Sequence, residues 1–209
     1  LVPGTTVLMS RLLRVELEKA SAEAARVVRA AMKGDRTAMR ELFDQQHPKI
    51  YNLIYGIMGD REVASDLTQE VFLRAFRALP RLKEPGAFLG WLRRIAVNLC
   101  RDQMKRPRLA ETPLEGGTRN VQEAPRREIL SPGGDASEPV LSDELQAQVR
   151  LAIASLSEDH RTVITLHHLD GVPVEEIAKI MRCRVGTVKS RLARAREALR
   201  KKLAPYVEQ

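Results

Sequence analysis

Ten basic side chains and one acid, Glu197, occupy the 24 positions from Lys179 to Lys202 of this 209-residue chain. One-signed charge at that density can neutralise phosphates. Gly186 and Thr187, at the front of its last helix, are small enough to let backbone amides approach a phosphate at a helix N-terminus. Val185, Val188, Leu192, Ala195 and Leu199 recur at steps of three or four, which predicts a helix with one buried stripe. The rest of its circumference carries Lys189, Ser190, Arg191, Arg194, Arg196, Arg200 and Lys201. Just upstream, "EEIAKIM" forms a short amphipathic period, and "RCR" leaves about three residues to reverse direction. Helix, tight turn, helix is the geometry that places a second helix in the major groove. A solvated basic face is the plainer alternative, but charge, short turn and small front residues occur together here and favour DNA.

A second stripe lies in "AFLGWLRRIAVNLCRDQMKR". Phe88, Leu92, Ile95 and Leu99 form an apolar face, while Trp91, Arg94, Asn98, Arg101 and Lys105 form another. An aromatic ring, an amide and cations on one side can stack on a base, bond its edge and hold phosphates, chemistry suited to opened strands. The alternative is that Trp91 is core and the arginines merely solvated. In "DREVASDLTQEVFLRAF", Asp66, Gln69 and Glu70 share a polar face of a helix whose Val71, Phe72 and Phe76 point inward. No catalytic site is expected, because Ser65 has no His or Lys beside it to activate it. His167, His168 and Cys183 lack the paired spacing of a zinc site, and His47 and His160 stand alone. No phosphate-binding glycine loop or nucleophile elbow occurs, so no metal, cofactor or small-molecule substrate is expected.

The elements that must carry these faces are helical. Net charge is +8, favouring a polyanionic partner. Sparse Gly, Pro and aromatics beside abundant Ala, Leu, Arg and Glu predict an all-α chain. Residues 109–141 hold Pro113, Pro125, Pro132 and Pro139, two Gly-Gly pairs, and six acids against three bases, and so predict an acidic flexible linker. The expected organisation is an N-terminal extension at 1–24, a helical domain at 25–108, the linker, and a helix-turn-helix domain at 142–209. Residues 1–8 precede Met9, a plausible natural start, and are left out of the fold reading.

Breaks at Gly34-Asp35, Pro48, Gly59-Asp60, Pro80 and Pro85-Gly86 predict four or five helices before the linker, the last over about 86–106. Four more are expected after it, over 142–155, 157–170, 174–181 and 185–203, with Ser142 and Ser157 as N-caps and Gly171 ending the second. The bundles are long enough for two small cores. Cys100 and Cys183 fall in separate domains, which predicts reduced thiols and a cytoplasmic setting. No apolar run reaches the roughly 18 residues of a membrane span.

Three segments together, "ASDLTQEVFLRAF", "FLGWLRRIAVNLCRD" and "LDGVPVEEIAKIMRCRVGTVKSRLARAREAL", resemble bacterial sigma factors of the extracytoplasmic-function group, the last being close to the sigma-E type. The likeness covers roughly residues 25–106 and 142–203. It implies a sigma region 2 bundle and a region 4 helix-turn-helix domain, and an alternative sigma factor that binds core RNA polymerase, recognises promoters and opens DNA. By that resemblance Asp66, Gln69 and Glu70 dock on the polymerase. Leu82, Lys83, Trp91, Arg94, Asn98 and Arg101 serve the minus-ten element, and Gly186, Thr187, Lys189, Ser190, Arg191 and Arg194 the minus-thirty-five element. Expected partners are core RNA polymerase, promoter DNA and an anti-sigma factor, which in this family is often membrane-anchored. The linker is expected to run into the polymerase channels.

Two positions depart from the family pattern. Arg182 stands where Gly usually forms the turn, so the turn is expected to differ locally, and Ala193 replaces an aromatic of the close relative. The rival readings are an ordinary helix-turn-helix regulator, which needs no strand-opening stripe, and an enzyme with a DNA-binding tail.

Overall fold

The computed structural model describes residues 22–105 and 143–207, which are helical with no strand among them. The extension before residue 22, the linker reading over 109–141 and the Ser142 cap lie outside the described residues. Helix α1 spans 22–32, α2 Arg36–Met58, α3 Arg61–Ala78 and α4 Phe88–Lys105, with 3-10 turns at Leu79–Arg81 and Pro85–Ala87. Helix α5 spans Asp143–Ala154, α6 Glu158–Ile164, α7 Val174–Met181 and α8 Val185–Val207. A π-helical turn over Thr165–Leu169 continues α6.

Two boundaries follow local chemistry. Gly34 and Gly59 end their helices at φ 90° and 75°, where a side chain would be strained. Asp35 Oδ1 then accepts from the amides of Thr37 at 2.8 Å and Ala38 at 3.1 Å, and Asp60 Oδ1 from Val63 at 3.0 Å. Gly171 closes the π turn at φ 64°.

Pro48 does not break its helix as expected: it lies inside α2. Its ring is exposed, so the carbonyl it leaves without a donor can face water, while Leu42, Ile50, Leu53, Ile54 and Ile57 keep one buried stripe through the site. Packing outweighs the lost bond. Ser157 occupies the N-cap position of α6 with extended backbone, but its hydroxyl makes no capping bond.

The two expected cores are one. Buried residues of α1 to α4 and of α6 to α8 form a single cluster. Helix α4 contacts α7, and α2 contacts both α6 and the π turn. Two glycines permit this approach. A Cβ on Gly56 would lie 2.7 Å from Thr165 Cγ2, and one on Gly90 3.1 Å from Glu176 Oε1. Arg161 ties the seam by donating from Nη1 to the Ile57 carbonyl at 2.9 Å and from Nη2 to those of Ala154 at 2.5 Å and Leu156 at 3.0 Å. Burial lowers the pKa of this guanidinium and Glu158 opposes the shift.

Arg161→Ala should leave three carbonyls without a charged donor and lower stability by about 1–3 kcal/mol, measured as a fall in thermal midpoint. Arg161→Lys should recover only part, since an ammonium lacks the planar fork that spans these acceptors.

Candidate nucleic-acid interface

The helix-turn-helix is built from α7 and α8. Helix α7 buries Ile177, Ala178, Ile180 and Met181 and carries Glu175 and Glu176 in its first turn, where the helix dipole favours acids. It ends on Arg182 in the left-handed conformation, φ 52° and ψ 48°, the one non-glycine residue with positive φ among those described. The Cys183 amide donates to the Ala178 carbonyl at 3.0 Å and the Arg182 amide to that of Lys179 at 3.4 Å. These are the two bonds of a Schellman ending. The turn therefore keeps the geometry a glycine would take, against the expectation of a local difference, with the strain borne by Arg182.

Along α8, Val188, Leu192 and Ala195 are buried. Gly186, Lys189, Ser190, Ala193 and Arg194 are exposed, and Thr187 is half-buried. A Cβ at Gly186 would meet nothing, so packing does not require glycine there. Ser190 Oγ donates to the Thr187 carbonyl at 2.9 Å, which leaves its oxygen free to accept. Arg191 points elsewhere: it is half-buried and bonds Asp159 of α6. Arg196 donates from Nε to His168 Nε2 at 3.2 Å, a bond that needs the neutral imidazole; burial, His167 and Arg196 all lower the His168 pKa and favour that form.

Helix α4 is covered on two sides. Phe88, Leu92 and Leu99 are buried in the expected face, and Ile95 is half-buried at its edge. Sequence reasoning missed the second face of Gly90, Arg93, Val97 and Arg101, which share one side of the helix at steps of three and four. Arg93 Nε bonds Asp170 Oδ2 at 2.6 Å, Arg93 Nη1 reaches Glu176 Oε1 at 3.4 Å, and Val97 is fully buried. Arg101 lies 3.2 Å from Asp159 Oδ1 and 3.7 Å from Glu158 Oε1. The remaining stripe is Trp91, Arg94, Asn98 and Lys105. Trp91 is half-buried, its ring 6.2 Å from that of Phe88, while Asn98 and Lys105 are exposed. In the preceding loop Leu82 is half-buried and Lys83 exposed.

On α3, Asp66 and Gln69 are exposed, and Glu70 is half-buried with Arg74 Nε 2.6 Å away. Leu73 lies on the same helical face, 52% exposed, and sequence reasoning did not single it out. The signal was its register, seven residues after Asp66. Among the described residues no group of three or more His, Cys, Asp or Glu could hold a metal ion, and no helix is long and apolar enough to cross a membrane.

These features define a two-bundle helical protein with a helix-turn-helix and a separate aromatic and basic stripe. Residues 42–109 match the model of Sigma-70 region 2 and residues 146–199 that of Sigma-70, region 4. The RNA polymerase sigma-H factor of Pseudomonas aeruginosa is 35% identical over 187 residues, 88% of this chain and 95% of that protein. The ECF RNA polymerase sigma-E factor of Escherichia coli K12 is 37% identical over 185 residues, 87% and 94% of the two chains. CnrH, solved with the cytosolic domain of CnrY, shares the fold with TM-score 0.63 and 22% identity over 87% of this chain and 97% of that one. The chain belongs to the sigma-70 family of RNA polymerase sigma factors, in its extracytoplasmic-function group. It is an alternative sigma factor directing promoter recognition by RNA polymerase.

Arg182→Gly should relieve the left-handed strain in the turn and raise stability by about 0.5–1 kcal/mol, seen as a higher thermal midpoint. The side chain is exposed, so little packing is lost with it.

Proposed function

We propose that the chain acts in the cytoplasm as a non-catalytic initiation subunit whose parts divide the work. Residues 25–108 dock on core polymerase and open the minus-ten element, residues 142–209 hold the minus-thirty-five element, and residues 109–141 join them. The supporting observation is the stripe on α4, where Asn98 is exposed beside a half-buried Trp91 and a basic flank. An ordinary helix-turn-helix regulator has no use for it. A short amide that both donates and accepts can pair with the edge of an extruded base, and Trp91 offers a ring to stack against. Leu82, Lys83 and Arg94 complete this surface, and Arg101 joins it once it leaves Asp159. At the upstream element, exposed Lys189, Ser190 and Arg194 face the groove, Gly186 and Thr187 admit a phosphate, and Arg191 joins them once it leaves Asp159.

Docking falls to Asp66, Gln69 and Glu70, with Leu73 as the apolar centre of their face. An anti-sigma factor fits as a further partner. The structurally similar RpoE of Bartonella quintana was solved with the anti-sigma factor NepR, with TM-score 0.62 and 24% identity over 81% of this chain and 98% of that one. The partner in the CnrH complex is itself a cytosolic domain, in keeping with a membrane-anchored inhibitor.

Leu73→Ser should weaken core-polymerase binding about five- to tenfold with little change in thermal midpoint, the loss expected for an exposed anchor of an interface. Equal affinity for wild type and variant would remove Leu73 from the docking face.

On a promoter selected from a randomised library with core polymerase, Asn98→Ala should keep core binding and upstream DNA binding but lose strand opening. Unpairing costs a few kcal/mol, so a template mismatched around the minus-ten element should restore part of it. Permanganate footprinting on both templates reads the outcome. Normal opening of the paired promoter by the variant contradicts the assignment.

A further inference from the structure

Three residues reverse the chain between α7 and α8, and two of them are arginines that local geometry does not favour. Arg182 holds the left-handed conformation at φ 52°, a place for glycine. Arg184 immediately precedes α8, and its carbonyl accepts from the amides of Thr187 at 2.9 Å and Val188 at 3.2 Å. That is the N-cap position, where the side chain of Ser, Thr, Asp or Asn would satisfy an amide and that of arginine cannot. The first turn of α8 carries no acid either, so a cation there opposes the helix dipole.

Neither side chain serves the fold. Both are exposed, and every ion pair among the described residues lies elsewhere. Cys183 between them is half-buried against the core, so the turn keeps its apolar residue inward and its two cations outward. No acid occurs from Ile177 to Arg196, which leaves the positive charge of this surface uncompensated along the chain. Helix α8 rises about 15 Å from Arg184 to Arg194, more than the roughly 12 Å width of the major groove. A helix that enters the groove by its first turns therefore brings its front cations to one phosphate wall and leaves Arg194 nearer the other. Backbone strain kept at an exposed cation beside such a surface points to function.

We infer that Arg182 and Arg184 are phosphate-binding residues of the minus-thirty-five complex, holding the DNA strand that faces the turn, a role that rests on the reading of α8 proposed above. Each weakens the turn locally and strengthens the complex. Phosphate contacts add affinity and fix orientation without reading sequence, so the two arginines seat α8 in the groove while Lys189, Ser190 and Arg194 meet base edges.

The test uses full-length Arg182→Gly and Arg184→Ser, each reconstituted with core polymerase beside wild type. Fluorescence anisotropy measures affinity for a duplex carrying the selected minus-thirty-five element, and for one with that element scrambled, between about 50 and 200 mM salt. Each variant should bind both duplexes about three- to tenfold more weakly and lower the slope of log affinity against log salt by about one, as loss of one phosphate contact does. Thermal midpoints should rise, because glycine relieves the turn and serine caps α8. Arg182→Lys and Arg184→Lys should keep the slope, since an ammonium also neutralises a phosphate, and its loss there would contradict a charge role. An unchanged slope in Arg182→Gly or Arg184→Ser overturns the inference, as does a fall in thermal midpoint with DNA binding intact, which would make the arginines part of the fold. Weakening confined to the selected duplex would make them base readers and overturn it equally. Arg194→Ala in parallel separates the two levels. A response there with none at Arg182 and Arg184 sinks the phosphate role of the turn alone, whereas a response at the turn with none at Arg194 supports that role and counts against the base contacts proposed for α8.

Discussion

Helix α4 has more neighbours than a surface helix ordinarily has, and the rest of the molecule is arranged around that. Phe88, Leu92 and Leu99 face its own bundle, while Gly90, Arg93, Val97 and Arg101 face the second one. The strip left over is narrow, and it holds Trp91, Arg94, Asn98 and Lys105. A helix gripped from two sides presents such a strip rigidly, which suits the contacts with unpaired bases proposed for it. The same grip brings the helix-turn-helix domain against α4.

The ion pair at the centre of that grip is better understood as a register than as a large source of stability. Burial raises the Asp170 carboxyl above its ordinary value, although the Arg93 guanidinium pulls it down. Desolvation therefore outweighs the Coulombic gain, the usual balance for a buried pair. A carboxylate whose folded pKa is raised takes up its proton early as pH falls, so Asp170 itself gives the fold nothing to lose on mild acidification. Shape does more. Gly56 against Thr165 and Gly90 against Glu176 let the bundles approach more closely than any larger residue would allow. Surface pairs such as Glu197 with Arg200 and Lys201 add little.

The recognition turn shows a local rule bent without being broken. Three residues must reverse the chain between α7 and α8, and the Schellman bonds from Arg182 and Cys183 impose a left-handed residue there whatever its side chain. Buried Ile177, Ile180 and Met181 on one side, and Val188 and Leu192 on the other, hold the geometry. Packing of the two helices is worth more than the strain at one exposed arginine.

The sequence by itself determined what depends on residues within about four positions of one another. Gly34-Asp35 and Gly59-Asp60 mark their boundaries because a left-handed glycine and an aspartate cap act on adjacent amides. The stripes of α4 and α8 were legible because helical period projects neighbouring side chains to one face. Pro48 was misread for the same reason: its local preference is plain, but the buried stripe that overrides it comes from the bundle. Only the tertiary structure decided that the two cores merge, that α4 has a second face, and that Arg101 and Arg191 turn from solvent toward Asp159. These contacts join residues 58 and 32 positions apart, and the Arg93 pairs span 77 and 83. Partners that distant leave no periodic trace along the chain, because what brings them together is the complementary shape of two folded surfaces and not the geometry of either helix alone.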